Sequence, residues 1–189
     1  MSFESLGLPA ALARAVADSG YTQPTDVQTR AIPPAMAGSD LRVSSSTGSG
    51  KTAAFVLPAL NRVLAARGDA SKRRDNKTAH GPRVLVLTPT RELAMQVAKA
   101  TDSYGRHIPG LRVATIVGGV PYHAQLKALR GPLDVLIATP GRLMDHMANG
   151  KAVLANVELF VLDEADRMLD MGFIDDIKHI ASFLPEQRQ

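Results

Sequence analysis

At 189 residues, with 45% hydrophobic and 21% charged side chains, the chain is long enough for a domain with a sizeable apolar core. It has no cysteine, which excludes disulfides and cysteine-ligated zinc and fits a cytoplasmic protein. The net charge of +4 inclines it weakly toward polyanions. No apolar run reaches transmembrane length, and the first ten residues, with Glu4 and no basic-then-apolar pattern, do not read as a secretory leader.

The predicted elements begin with two helices, Leu8–Asp18 and Thr25–Ala37. Asp18-Ser19-Gly20 ends the first. Thr25 fits the N-cap of the second, with Gln28 three residues on as its capping-box partner. From residue 41 a unit recurs: a short apolar run closing on small or polar residues, then a helical pattern. Leu41–Ser44 leads to Lys51–Ala66, Val84–Thr88 to Arg91–Tyr104 and Val113–Val117 to Tyr122–Leu129. Val135–Ala138 leads to Pro140–Ala148, and Leu159–Leu162 to a broken helical stretch through Leu184. Alternating strands and helices predict a parallel sheet covered on both faces. The unbroken runs Val84–Leu87 and Phe160–Leu162 read as doubly buried strands. The polar stretch Arg67–Pro82, with Lys72-Arg73-Arg74, reads as a solvated surface loop. The expected organisation is a helical extension over 1–40 followed by an α/β domain over 41–189.

In open parallel sheets, ligands bind beyond the carboxyl ends of the strands, and the distinctive motifs of this chain fall there. Ser45-Ser46-Thr47-Gly48-Ser49-Gly50-Lys51-Thr52 lies between a predicted strand and helix, in a Walker A arrangement. Its glycines let backbone N–H groups turn inward around phosphates, and the helix start adds its positive dipole end. Lys51 is positioned to neutralise the outer phosphates and Thr52 to hold magnesium. Ser45 stands where the strict pattern has glycine.

The tip of the last predicted strand carries Asp163-Glu164-Ala165-Asp166. With a phosphate loop in the same chain, this reads as a Walker B site, Asp163 holding magnesium and Glu164 polarising the attacking water. The plainer alternative is that these acids cap the next helix. Thr90 and Thr139 both read as N-caps after strands, with Pro140 at the favoured first helical position. Read alone, Gln28 is an ordinary helix residue, Phe3 a core plug, and the Gly118-Gly119 pair a tight turn. Met168 and Met171 read as packing residues. His80, His107, His123, His146 and His179 show no metal-ligand spacing and read as surface residues.

Asp163-Glu164-Ala165-Asp166 spells the signature of the DEAD-box RNA helicases, which the chain resembles over nearly its whole length. Gly20-Tyr21-Thr22-Gln23-Pro24-Thr25-Asp26-Val27-Gln28 resembles their Q motif, with Phe3, 17 residues before Gly20, as its isolated aromatic. Pro89-Thr90-Arg91-Glu92-Leu93-Ala94 resembles motif Ia, Gly118-Gly119 the GG motif, and Thr139-Pro140-Gly141-Arg142 motif Ib. Leu162–Phe173 looks most like the bacterial RhlE-type branch. The resemblance implies a RecA-like domain, ATP and magnesium as cofactors, and RNA as partner. It implies that Gln28 reads adenine, a contact a primary amide can make bidentately, with Phe3 or Tyr21 stacking on the base and Thr25 tying the segment to the phosphate loop.

By the same resemblance Pro89–Glu92, Gly118-Gly119 and Thr139–Arg142 grip the RNA sugar-phosphate chain, with little sequence preference. Ser45 replaces the usual Ala or Gly of the family. Leu184–Gln189 looks like the approach to the Ser-Ala-Thr motif, so that motif and the second RecA-like domain with its arginine finger are expected to lie outside this sequence. Nucleotide binding with negligible hydrolysis is the corresponding expectation for this chain alone. Two other classes remain: a P-loop enzyme such as a DNA-directed motor, which has no reason for a Q motif, and a non-catalytic RNA clamp on a degenerate ATPase fold.

Overall fold

A computed structural model describes residues 2–46, 48–68 and 81–189. Lys72-Arg73-Arg74, His80 and Thr47 lie outside them. The chain packs as two compact units. Among the described residues, one comprises 2–46, 48–68, 99–111 and 189, the other 81–98 and 112–188. The division at residue 40 expected from the sequence remains a proposal.

The first unit is built on α1 (Ala10–Asp18), α2 (Asp26–Met36) and α3 (Lys51–Gly68), preceded by a 3-10 turn at Glu4–Leu6. The expected capping box is present: Gln28 N donates to Thr25 Oγ1 at 3.3 Å, and Thr25 N to Gln28 Oε1 at 3.0 Å. Such a cap contributes about 1 kcal/mol by satisfying N–H groups that the helix itself cannot. Leu12 and Val16 of α1, Ile32 of α2, and Leu57 and Leu60 of α3 are fully or almost fully buried. Each contributes about 1.5–3 kcal/mol through its burial.

The second unit holds a four-stranded, all-parallel sheet in the order β2-β3-β1-β4. Its strands are β1 (Val84–Leu87), β2 (Val113–Ile116), β3 (Val135–Ala138) and β4 (Leu159–Leu162). The helices after them are α4 (Arg91–Tyr104), α5 (Tyr122–Arg130), α6 (Pro140–Ala148), α7 (Ala165–Asp170) and α8 (Ile174–Ala181). Side chains alternate along a strand, so Leu85 and Leu87, Ala114 and Ile116, and Leu136 and Ala138 share one face. That face packs with Leu143 of α6, Met168 of α7, and Ile177 and Ile180 of α8 in one core. Val84, Val86, Val135 and Ile137 point the other way and are buried too, so the central strands are covered on both faces. This is the expected α/β architecture of a RecA-like domain.

Four local expectations are corrected. Leu41–Ser44 forms no strand. The segment has no ladder partner among the described residues, and Leu41 and Val43 are 42% and 45% exposed. A strand exists only where a neighbour takes up its backbone hydrogen bonds, and an apolar run does not supply that neighbour. Phe160–Leu162 is not doubly buried. β4 pairs only with β1 and ends the sheet, leaving Phe160 and Val161 half-buried and Leu162 exposed. Met168 is buried as expected, but Met171, just past the end of α7, is exposed. His146 is fully buried rather than on the surface.

Candidate functional site

The first unit carries the segment in Walker A arrangement and the segment that resembles the Q motif. Gly50 has φ +85°, a left-handed conformation that strains any residue with a Cβ. A Cβ there would also collide with Gln28 Nε2 and come within 2.9 Å of Thr25 Oγ1. Glycine is therefore required twice over, by the turn and by the close approach of α2. The Gly50 carbonyl accepts from Ala54 N at 3.2 Å in the first turn of α3, and from Gln28 Nε2 at 3.1 Å. Gln28 is a buried polar side chain. Its amide has two N–H donors and two acceptor lone pairs. Gly50 and Thr25 occupy one of each, leaving one donor and one acceptor.

The other sequence-predicted residues of this unit are placed as follows. Lys51 and Thr52 begin α3 and are half-buried. Ser46 and Gly48 are exposed, and Ser49 is half-buried. Ser45 Oγ and Ser49 Oγ are buried and meet no hydrogen-bond partner among the described residues. Phe3 is buried at 6% exposure, whereas Tyr21 is 52% exposed. Tyr21 lies beside the hydroxyl of Tyr104, whose pKa is pushed up to about 12, first by burial and then by this neighbour.

In the second unit the remaining motif residues emerge at the carboxyl ends of the strands. Crossing the sheet, these ends lead to Gly118-Gly119 after β2, Thr139–Arg142 after β3, Pro89–Glu92 after β1, and Asp163-Glu164 after β4. The end of β1 is organised by its threonines. Buried Thr88 donates from Oγ1 to Thr90 O at 3.2 Å, and Thr90 Oγ1 caps α4 by accepting from Leu93 N at 3.3 Å. Pro89 is buried, and Arg91 and Glu92 are exposed. Thr139 stands at the N-cap of α6 without making the expected side-chain bond. Its own N–H donates to Ile116 O at 3.0 Å, and Pro140 follows at the first helical position, where its missing N–H leaves the helix one fewer donor to satisfy.

Gly118 and Gly119 are exposed, and Gly119 has φ +80°. A Cβ on Gly119 would come within 2.8 Å of the Arg91 guanidinium, so the motif Ia arginine reaches the GG loop. Arg142 reaches the same loop from α6, donating to Val120 O at 3.0 Å. Gly141 is exposed at the start of that helix.

Asp163 is buried, and its N–H continues the ladder by donating to Leu87 O at 2.9 Å. Glu164 follows with φ 59° and ψ 48°, the one non-glycine residue with positive φ among those described. Left-handed backbone in a side-chain-bearing residue costs about 1–3 kcal/mol and concentrates at functional positions. Asp166 lies in the first turn of α7, where its charge complements the helix dipole.

Sequence reasoning missed a polar cluster beside the GG loop, formed by Gln125 and Tyr122 of α5 with His146 of α6. Gln125 and His146 are buried, and the Tyr122 and His146 rings stack with centroids 4.1 Å apart. Burial, and then the Arg142 charge, hold the His146 pKa below its usual value. Gln125 and His146 are 21 residues apart, and no local pattern announces their meeting.

Comparison with known proteins decides the family. The sequence profile of the DEAD/DEAH box helicases matches residues 25–189. The chain belongs to the DEAD/DEAH box helicase family. It is 42% identical over its full length to the ATP-dependent RNA helicase DeaD of Haemophilus influenzae, covering 29% of that protein. It is 42% identical over its full length to DeaD of Escherichia coli, covering 28%. Over 94% of its length it is 46% identical to the DEAD-box ATP-dependent RNA helicase 52A of rice, covering 30%. The chain thus spans less than a third of the length of these relatives. Among the described residues no helix is long and apolar enough to cross a membrane.

Proposed function

We propose that this chain is the nucleotide-binding RecA-like domain of a cytoplasmic ATP-dependent RNA helicase. It binds adenine nucleotide with magnesium and holds an RNA strand by its sugar-phosphate chain. A second RecA-like domain is its partner in unwinding. The observation that carries the reading is the meeting of Gln28 with Gly50. An amide able to read a base is fastened to the glycine that precedes Lys51, so base recognition and phosphate binding share one rigid element.

Roles follow from side-chain chemistry. Lys51 and the N–H groups at the start of α3 meet phosphate charge. Gln28 offers its remaining donor and acceptor to adenine, whose amino group and ring nitrogen form a complementary pair; guanine has a carbonyl acceptor where adenine has that amino donor. Of the two aromatic candidates, Tyr21 is the exposed one and supplies surface for the base, while Phe3 is buried in the core of the same unit; Thr25 keeps Gln28 oriented through the capping box. Thr52 and Asp163 offer a hydroxyl and a carboxylate oxygen, hard donors that fit magnesium. Among the described residues no cluster of three or more histidine or acidic side chains could cage an ion. Either residue alone is a single hard donor, of the kind used by a cation which keeps waters and takes other ligands from phosphates. Bound magnesium supplies charge neutralisation of the transferring phosphoryl group. Glu164 orients the attacking water.

On the RNA side, Pro89–Glu92, Gly118-Gly119 and Thr139–Arg142 present helix N-termini, exposed backbone and two arginines, a set suited to phosphates and 2′-hydroxyls rather than base edges. The chain alone is proposed to bind nucleotide while turning it over negligibly, since an arginine finger from a second domain is typically worth several orders of magnitude in rate.

The test is a magnesium-dependent titration with adenine and guanine nucleotides, repeated with Gln28→Ala. Adenine-selective binding that the substitution removes supports the reading. Equal affinity for both bases overturns it in favour of a generic P-loop enzyme such as a DNA-directed motor. RNA binding without any nucleotide binding would point instead to a non-catalytic clamp.

A further inference from the structure

The GG loop, residues 117–121 between β2 and α5, is held from both flanks by side chains outside every motif named above except Arg142. On one flank Gln125 Nε2 donates to Val117 O at 2.6 Å. On the other Arg142 donates to Val120 O at 3.0 Å. The two anchors are joined, since Arg142 also approaches Gln125 Oε1 at 3.3 Å, and the His146 Nε2 contact to the same oxygen is 2.9 Å. Because the Gln125 amide nitrogen is committed to Val117, its oxygen must face His146, and His146 must therefore donate from Nε2. The neutral ring then leaves Nδ1 as a bare acceptor, and Nδ1 is indeed buried without a hydrogen-bond partner. The imidazole is clamped by its stack on Tyr122, at an interplanar angle of 7°, and the Tyr122 hydroxyl accepts from Asn149 Nδ2 at 2.9 Å.

A buried, nearly saturated network of this kind fixes geometry more than it adds net stability. What it fixes is the pair of carbonyls bracketing Gly118 and Gly119, two residues with no side chain to hold them in place. We propose that Gln125 and His146 are positioning residues for the RNA-gripping GG loop: His146 orients the Gln125 amide, and that amide sets where the Gly118 and Gly119 N–H groups point. The proposal rests on the reading of the loop as an RNA contact. α6 also carries Thr139–Arg142 at its start, so the network couples the two gripping segments, and a disturbance at His146 is felt by both.

The experiment uses the whole 189-residue chain. Binding of a fluorescein-labelled oligouridylate is followed by anisotropy, adenine nucleotide binding by titration, and the Gly118 and Gly119 amide resonances by 15N NMR. The variants are Gln125→Glu, which places a carboxylate against Val117 O; His146→Phe, which keeps the stack and removes the donor; and His146→Gln, which restores a donor at the Nε2 position. Gln125→Glu and His146→Phe are expected to weaken RNA binding about tenfold and to shift both glycine amides. Nucleotide affinity should stay within about twofold, and His146→Gln should recover most of the RNA affinity. Unchanged RNA affinity in the variants, against clear wild-type binding, overturns the positioning role and leaves the RNA reading standing. Loss of nucleotide and RNA binding together, with no recovery in His146→Gln, overturns it in favour of a purely structural cluster. Failure of the wild-type chain to bind RNA while still binding nucleotide overturns the RNA reading itself, and the proposal with it.

Discussion

Gln28 Nε2 donates to the carbonyl of Gly50 at 3.1 Å, joining the N-terminal turn of α2 to the last residue before α3. Gly50→Ala would place a methyl group against that amide at a left-handed φ. The expected result is a loss of about 2–4 kcal/mol, from strain and from displacement of Gln28, with adenine nucleotide binding abolished. Chemical denaturation and nucleotide titration check this together. A variant that melted like the wild type would mean that Gln28 moves aside freely.

Ser45 carries a buried hydroxyl with no hydrogen-bond partner among the described residues. An unsatisfied buried polar group costs about 1–3 kcal/mol, and deleting it is nearly neutral or stabilising. Ser45→Ala is therefore expected to raise the melting temperature by about 2–4 °C for each kcal/mol recovered, and to bind nucleotide at least as tightly. A lower melting temperature would show that the hydroxyl is satisfied after all.

Glu164 sits at φ 59° immediately after Asp163. Asparagine tolerates this conformation better than glutamate, because its short amide can bond the local backbone. Glu164→Asn is expected to leave stability unchanged or raise it by about 1 kcal/mol. In a full-length helicase carrying this domain, it should abolish RNA-stimulated ATP turnover while preserving ATP binding. Retained turnover would remove Glu164 from the water-orienting role.

His146 links protonation to stability. Burial on Tyr122 of α5 lowers its pKa most, Arg142 on its own helix lowers it further, and Asp145 opposes this more weakly. Because its folded pKa lies below the ordinary 6.5, the unfolded chain takes up the proton first as pH falls. Its contribution to stability is thus undiminished well above pH 6.5. It declines as pH drops through 6.5, and levels off once the folded pKa is passed. The stability difference between wild type and His146→Phe, measured by denaturation from pH 8 to pH 5, should show that decline. A flat difference would contradict the linkage.

The elements legible in the sequence were those whose pattern is local. α4, β3, α6 and β4 fall at the residues their patterns mark, because short apolar runs and amphipathic spacing carry their own signal whether or not both faces end up covered. The Thr25–Gln28 capping box was equally readable, since both partners lie within one helical turn. What escaped depends on distant partners. Leu41–Ser44 has the composition of a strand but no neighbour among the described residues, and Leu162 sits in an apolar run yet on a sheet edge. His146 looks like any histidine until Gln125, Tyr122 and Arg142 surround it. Among the site residues, the sequence located the strand ends that carry Asp163, Thr90 and Thr139. It gave no hint that Arg91 reaches Gly119, because that meeting depends on the order in which the strands lie side by side.

That order also sets a length scale. Neighbouring strands lie about 4.8 Å apart, so the ends of β2, β3 and β1 together span only about 10 Å. At about 3.4 Å per stacked nucleotide, such a platform accommodates roughly three steps of a strand. On the proposed function this domain takes a short foothold on RNA rather than a long track. It would act by distorting a few nucleotides at a time, and its choice of transcript would have to come from whatever delivers it there.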